Sequence, residues 1–308
     1  MNKAEIEEKV DAIAEKMDAD IIACFGRISL SSYRALVNEF VGRPLRKNVL
    51  FFLTTLGGDP DAGYKIARHL QELYNTLRDS GKNIDPTKGD LIVLIDGMCK
   101  SAGTLICLGA NKIVMSGTAE LGPIDMQLLK QDEVGERTSG LTPIQAVQFL
   151  EMRSVGLFLR HFANLRFSEE MNFSTRMAAD IATKLTIGLL APIYEQIDPI
   201  RLAEVHRSVS IAAEYGKRLS NGNLEEDALE RLLMSYPSHG FVIDKREANK
   251  LFKCVDSPSL ELEEVIAYFR QSSDQSIEKG EGFIGFLSSP PELNQGASIK
   301  REHELNVQ

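Results

Sequence analysis

Two uninterrupted apolar runs, Val49 to Leu53 (VLFFL) and Leu91 to Ile95 (LIVLI), constrain this chain more than anything else in it. A strand with one wet face alternates apolar and polar residues. A run without alternation is covered on both faces, as in a parallel sheet flanked by helices. Each run enters a turn of small residues: Leu56-Gly57-Gly58-Asp59-Pro60 after the first, and Gly97-Met98-Cys99-Lys100-Ser101-Ala102-Gly103 after the second. A helical pattern follows each turn. One runs from about Asp61 to Leu77, with Ile66, Leu70, Leu73 and Leu77 on one stripe; the other is a small-residue segment to about Gly109. Lys112 to Met115 reads as a third strand. Strand, turn, helix and strand at this spacing predict βαβ architecture with a largely parallel sheet.

Around that unit the pattern is simpler. The first twenty residues place Ile6, Val10, Ile13 and Met17 at helical spacing on a charged background, which predicts an N-terminal helical arm over 1–20. Ile21 to Phe25 reads as a short strand. Ser31 or Ser32 can cap a helix to about Val41, ended by Gly42 and Pro44. Residues 79–89 read as a loop. From about Thr142 to Ser235 the chain reads as almost all helical, with Thr142-Pro143 and Asp198-Pro199 as helix starts. Phe241-Val242-Ile243 is a short strand, and Asp244 with Glu247 forms a possible capping box for a helix ending near Phe252. Residues 260–271 form a short helix. From Ser272 the composition predicts a poorly ordered tail, in which FIGFLSS is apolar enough to dock somewhere. The main domain is therefore expected over 21–257, its part 142–235 mainly helical, followed by a C-terminal helix and tail over 258–308. No internal repeat is present.

Composition narrows the function classes. A chain of 308 residues, 43% of them hydrophobic, can bury a large core without a disulfide or metal staple. Acidic residues outnumber basic ones, 44 to 35, for a net charge of -9, which argues against a general nucleic-acid binder or a polybasic membrane-surface protein. No run of about 18 apolar residues occurs, so no transmembrane helix is expected. The N-terminal MNKAEIEEKVDAIAEKMDAD lacks an apolar signal core, which makes the cytoplasm the expected compartment. Cys24, Cys99, Cys107 and Cys254 form no CxxC pair and read as reduced, mostly buried thiols. No cofactor and no metal is expected.

The two turns carry the chemistry. In parallel α/β sheets sites lie beyond the carboxyl ends of the strands, so Gly57-Gly58 and the 97–103 turn should share one sheet edge. Gly57 and Gly58 expose backbone N–H groups without side-chain obstruction, which suits an oxyanion hole. Ser101 stands where a helix begins, and Ala102 offers a further N–H. Small neighbours let a substrate carbonyl reach the hydroxyl. The competing reading is a tight-packing turn whose serine only caps the helix.

Five segments carry a family resemblance. Leu56 to Gly63 (LGGDPDAG) resembles the S-P-G-G…A-G segment of the Clp protease proteolytic subunit and the signal peptide peptidases. Gly97 to Gly103 resembles their nucleophile turn. Glu120 to Asp125 (ELGPID), Tyr194 to Pro199 (YEQIDP) and Tyr236 to Asp244 (YPSHGFVID) look like the serine dehydrogenase proteinase family within the Clp/crotonase-like superfamily. The similarity spans roughly residues 20–257. It implies a spiral of ββα units with an extended helical segment, a serine peptidase acting on peptide or protein substrates, and a homo-oligomer.

A serine hydroxyl needs a neighbouring base. The Clp subunit has a His about 25 residues after its serine; here Asp125 stands 24 residues after Ser101, and no His lies nearby. His69, His161, His206 and His303 read as structural or tail residues. His239 sits between a Pro turn and a short strand in the block that returns to the sheet. A triad with swapped positions follows, with Ser101 as nucleophile, His239 as base and Asp125 as orienter, since roles and geometry define a triad and chain order does not. The alternative base is Lys184, in the apolar stretch IATKLTIGLL, where desolvation would lower its pKa; a snorkelling lysine is the plainer reading. Lys100 is discounted as base because consecutive residues rarely face each other, though it could attract acidic substrates. Asp59, Asp61 and Asp125 with Glu120 could be read as a metal cluster, but two of them stand at a helix start, where acids favour the dipole, and that is the plainer reading. Beside the peptidase stand two alternatives: a crotonase-type thioester enzyme with the same two-amide hole, and an inactive oligomeric scaffold.

Overall fold

A computed structural model describes residues 2–77, 87–124, 127–129, 137–139, 141–167, 173–280 and 282–291. In chain order the elements are α1 (Lys3–Met17), β1 (Ala19–Phe25), α2 (Leu30–Glu39), β2 (Asn48–Thr55), α3 (Pro60–Leu73), β3 (Leu91–Cys99), α4 (Ala102–Leu108), β4 (Lys112–Met115) and β5 (Glu120–Leu121). Then follow β6 (Gln127–Leu129), β7 (Arg137–Ser139), α5 (Leu141–Phe167), α6 (Thr175–Tyr194) and α7 (Pro199–Leu219). The chain closes with α8 (Ala228–Glu230), a π-helical turn at Arg231–Ser235, α9 (Lys245–Ala248), β8 (Val255–Asp256), α10 (Leu260–Lys279) and β9 (Phe283–Phe286). Two compact units result, one of residues 1–124 with 212–308 and one of residues 125–211.

The first unit is built on a mostly parallel sheet in the order β8-β4-β3-β2-β1-β9, with β5 paired to the end of β3. Only β9 runs antiparallel, against β1. Both apolar runs lie in the centre of the sheet and are buried throughout. Their side chains go to both faces, as the lack of alternation requires. Leu50, Phe52 and Leu94 join Ile6, Val10, Ile13, Leu262, Val265 and Ile266 in a core under α1 and α10. On the opposite face α3 and α4 pack together against β2. Asp59 caps α3, its side chain accepting from the Asp61 N–H at 2.9 Å, and Pro60 follows at the first helical position.

Two expectations are corrected at the ends of the chain, and the docking expected of FIGFLSS finds its place. The N-terminal arm is part of the core: α1 buries Ile6, Val10, Ile13 and Ala14. The C-terminal helix runs on to Lys279, well past residue 271, because Gly280 supplies its left-handed cap. The FIGFLSS segment docks as β9, the antiparallel edge strand beside β1, with the Ile21 N–H donating to Ser288 Oγ at 3.0 Å. The hydroxyl cap of α2 is likewise Ser29 in place of Ser31 or Ser32.

The second unit holds a helical hairpin of α5 and α6 whose small core comprises Leu165, Ala178 and Ala182 with Phe158, Phe162, Phe173 and Ile181 packed on it. Much of its outer surface is apolar and exposed, including Met152, Val155, Leu159, Ile187 and Leu189. A groove of about 450 Å³ runs beside Val155, Phe158, Ile187 and Tyr194. At 20 residues and a mean hydropathy of 1.2, α6 is long and apolar enough to cross a membrane by length and composition. It passes that test although Arg176, Asp180 and Lys184 interrupt its apolar run.

Candidate active site

The site lies in the first unit, where β2 and β3 end. The register between them breaks: Leu53 pairs Ile95 and Thr55 pairs Cys99, so one residue of β2, Thr54, faces three of β3. This bulge extends β3 past the apolar run and redirects its end. The turn beyond is pinned from several sides. The Lys100 N–H donates to the Thr55 carbonyl at 3.0 Å and the Gly122 N–H to the Cys99 carbonyl at 3.0 Å. The Thr104 hydroxyl reaches the carbonyls of Cys99 at 3.1 Å and Gly122 at 2.7 Å.

Ser101 occupies the residue before α4 with φ 53° and ψ -113°, and its side chain makes no capping hydrogen bond. Three non-glycine residues have positive φ among the described residues: Asp18, Asn75 and Ser101. Asp and Asn tolerate that region through local hydrogen bonds; a serine held there without one carries strain of about 1–3 kcal/mol. The reading of Ser101 as a simple N-cap is thus not what this backbone does. It forms a sharp strand-to-helix turn at the end of β3, with Ser101 half-buried. No hydrogen bond joins the Ser101 hydroxyl to a base among the described residues.

Gly57 and Gly58 approach this turn from β2, with φ of 100° and 150°. A Cβ on Gly57 would lie 2.7 Å from Ser101 Cβ, 2.9 Å from the Lys100 carbonyl oxygen and 3.3 Å from the Ala102 nitrogen. A Cβ on Gly58 would lie 2.0 Å from the Ile28 carbonyl oxygen. Both positions are therefore closed to other residues. The Gly57 N–H is committed to Thr55 Oγ1 at 2.9 Å, so its part is to leave room. The N–H groups of Gly58 and Ala102 donate to no other group among the described residues.

Ile243 pairs antiparallel with Leu121, which brings the 236–243 segment beside β5. His239 lies there, half-buried, in the turn closed by the Phe241 N–H on the Ser238 carbonyl at 3.1 Å. Asp125 lies outside the described residues. Lys184 belongs to the second unit, where its side chain is 78% exposed and faces Asp180 at 3.5 Å. The desolvation that a lysine base requires is missing there, because the apolar positions of α6 leave Lys184 on its wet side.

Sequence reasoning missed what Lys100 does. It is 5% exposed, and its Nζ pairs with Glu120 Oε1 at 2.7 Å and donates to the carbonyls of Phe241 at 3.3 Å and Leu121 at 3.4 Å. A buried, paired ammonium does not attract acidic substrates from solvent, so that expectation is corrected. No local pattern carried it, because Glu120 comes beside Lys100 only through the pairing of β5 with the end of β3. The acids are also engaged singly: Asp59 caps α3, Asp61 accepts from the Tyr215 hydroxyl at 2.8 Å, and Glu120 holds Lys100. No group of three metal-ligating side chains forms among the described residues. Cys24 and Cys99 are buried free thiols, and burial pushes the Cys24 thiol up to about 12.

No protein-family model matches the chain. No curated protein matches it either. Among solved structures, a mutant of the 1510-N membrane-bound stomatin-specific protease matches at 18% identity and a TM-score of 0.29, over 54% of this chain and 69% of that one. Another mutant of that protease, in complex with a substrate peptide, matches at 19% identity and a TM-score of 0.28, over 54% of this chain and 65% of that one, just under two thirds of its length. Likeness at this level assigns neither activity nor residue roles.

Proposed function

We propose that this chain is a serine peptidase of the Clp/crotonase-like superfamily. The observation that carries the reading is the backbone of Ser101: a strained, uncapped serine at the end of a central parallel strand, with a glycine opposite that has no room for a Cβ. Strain of this kind persists where the surrounding structure over-determines it, and it gathers at functional sites. In the proposed reaction Ser101 Oγ attacks the scissile carbonyl while its proton passes to His239, which Asp125 orients. The Gly58 and Ala102 N–H groups stabilise the oxyanion. The protonated imidazole then protonates the leaving amine, and water releases the acyl group by the reverse proton path.

A fluorophosphonate probe followed by peptide mapping tests this. Covalent labelling at Ser101, lost in Ser101→Ala, is the expected result; an unlabelled wild type would overturn it. The crotonase-type reading draws on the Gly58 and Ala102 amides, undonated among the described residues, and needs no serine nucleophile. It predicts thioester turnover that survives Ser101→Ala.

The proposal extends to assembly. Exposed apolar residues on α5 and α6 form the kind of surface that marks an interface, and a cytoplasmic homo-oligomer would bury them. Sedimentation at micromolar concentration should show a species well above 34.2 kDa. A monomer at all concentrations, or recovery of the chain in the membrane fraction, would overturn this part.

A further inference from the structure

Lys100 is an expensive residue to keep where it is. Taking an ammonium out of water costs several kcal/mol, and replacing a buried ion pair with apolar residues of similar volume is often neutral or stabilising. The slot itself is shaped for an unbranched side chain: a Cβ on Gly122 would lie 2.3 Å from Lys100 Cδ and 3.2 Å from its Cβ. A methionine would fill that slot without a charge. What a methionine would not supply is the set of partners at the tip of the side chain. From the residue next to Ser101, Nζ reaches Glu120, the Leu121 carbonyl and the Phe241 carbonyl, two residues from His239. The backbone link between this segment and β5 is the Leu121–Ile243 bridge, farther along the chain from His239 than the Phe241 carbonyl is.

We propose that Lys100 is a positioning residue, tethering the segment that carries His239 to the turn that carries Ser101. The inference rests on the reading of Ser101 as nucleophile and assigns Lys100 no proton transfer. Its ammonium acts as a three-donor clamp: Glu120 offsets its charge, and the carbonyls of Leu121 and Phe241 take the remaining donors. Holding a base within hydrogen-bond reach of its nucleophile is worth much in rate, since a displacement of 1 Å costs about a hundredfold.

The test compares wild type, Lys100→Met and the double variant Lys100→Met/Glu120→Leu. Each is measured for fluorophosphonate inactivation at Ser101, resolved into kinact and KI, and for amide exchange across 236–243. A tether predicts that kinact falls at least tenfold with KI within twofold. It also predicts that amides of 236–243 exchange at least tenfold faster while those of β1 and β2 hold. The double variant removes both charges, so it reports on the tether even where Lys100→Met alone fails to fold. Glu120→Gln, which leaves the two carbonyl bonds in place, should cost less than Lys100→Met. Unchanged kinact in the double variant, or unchanged exchange in 236–243, overturns the proposal. An unlabelled wild type would instead remove the nucleophile reading, and exchange alone would then decide whether Lys100 joins the two segments.

Discussion

Gly57→Ala separates room from conformation at the candidate site. Gly57 has φ 100°, and an alanine there carries the left-handed strain of roughly 1–2 kcal/mol. Its Cβ would also stand 2.7 Å from Ser101 Cβ and 2.9 Å from the Lys100 carbonyl oxygen. To restore ordinary contact near 3.5 Å, Ser101 must retreat by about 0.8 Å, against a turn held by Thr55, Gly122 and Thr104. Overpacking of that sort adds about 1–3 kcal/mol. A stiffer unfolded chain returns about 0.4–1 kcal/mol, which leaves a net loss of roughly 1–5 kcal/mol. Gly42→Ala is the control: its φ is 70° and nothing lies within 4 Å of the added Cβ, so it reports strain without collision. Urea unfolding should place Gly57→Ala about 1–3 kcal/mol below Gly42→Ala. The second-order rate of fluorophosphonate labelling should fall about a hundredfold for a displacement near 1 Å, and should not change in Gly42→Ala. Ser101→Gly removes one collision partner, so stability losses in Gly57→Ala/Ser101→Gly should be less than additive. Equal stability of the two alanine variants, with labelling at the wild-type rate, would refute the close approach of the two turns.

Ser101→Gly alone should raise stability by about 1 kcal/mol, because glycine relieves the positive φ; a loss in urea unfolding would contradict the strain. Truncation after Gly280 removes β9 and its bonds to β1, and should cost about 3 kcal/mol or more at about 1 kcal/mol per lost bond, seen as a Tm lower by roughly 5 °C. An unchanged Tm would show that β9 contributes nothing. Asp96 is buried and accepts from Arg270 Nε at 2.8 Å, Arg270 Nη2 at 3.0 Å and the hydroxyls of Ser116 and Thr118. Burial alone would raise its pKa; the Arg270, Ser116 and Thr118 hydrogen bonds outweigh burial and hold it below the usual carboxylate value. With a depressed folded pKa, that contribution is present above about pH 4 and is lost as pH falls through the folded value. Arg270→Met should therefore cost about 2–4 kcal/mol at pH 7 and progressively less toward pH 3 in urea titrations; a pH-independent loss would refute the role of the charge. In the proposed peptidase, His239→Ala should cost nearly as much activity as Ser101→Ala and Asp125→Asn less. Turnover near the wild-type rate in His239→Ala would remove His239 as base.

The central sheet was legible because its signal is local. VLFFL and LIVLI lack alternation, and only burial on both faces explains that. Lys112 to Met115 is the strand the pattern predicted, and Asp198 caps α7 through the Ile200 N–H at 2.8 Å as its Asp-Pro pair implied. The ends failed for the opposite reason. FIGFLSS is stabilised by pairing with a strand some 260 residues earlier, and no window of sequence carries that information. The arm failed likewise: a charged helix with one apolar stripe looks the same whether it lies on the surface or caps a core, and here α10 supplies the other half.

Ser101 shows where the division falls within the site itself. Its residue type and position beside Ala102 and Gly103 were readable, and so was the turn. Its backbone conformation was not, because a serine before a helix is ordinarily an N-cap in the extended region. What forces the departure is the crowding of three segments that are far apart in sequence. The bulge in β3 redirects the strand end, Thr55 and Gly122 hold the Cys99–Lys100 peptide from its N–H and its C=O, and Gly57 lies close against Ser101 and Lys100. The strain at Ser101 is thus imposed by the sheet and the loops around it, and the residues that impose it are the ones a variant screen should reach first. Thr55 is the sharpest case: its hydroxyl takes the Gly57 N–H at 2.9 Å while its carbonyl takes the Lys100 N–H at 3.0 Å, so one residue sets the spacing between the glycine turn and the serine turn.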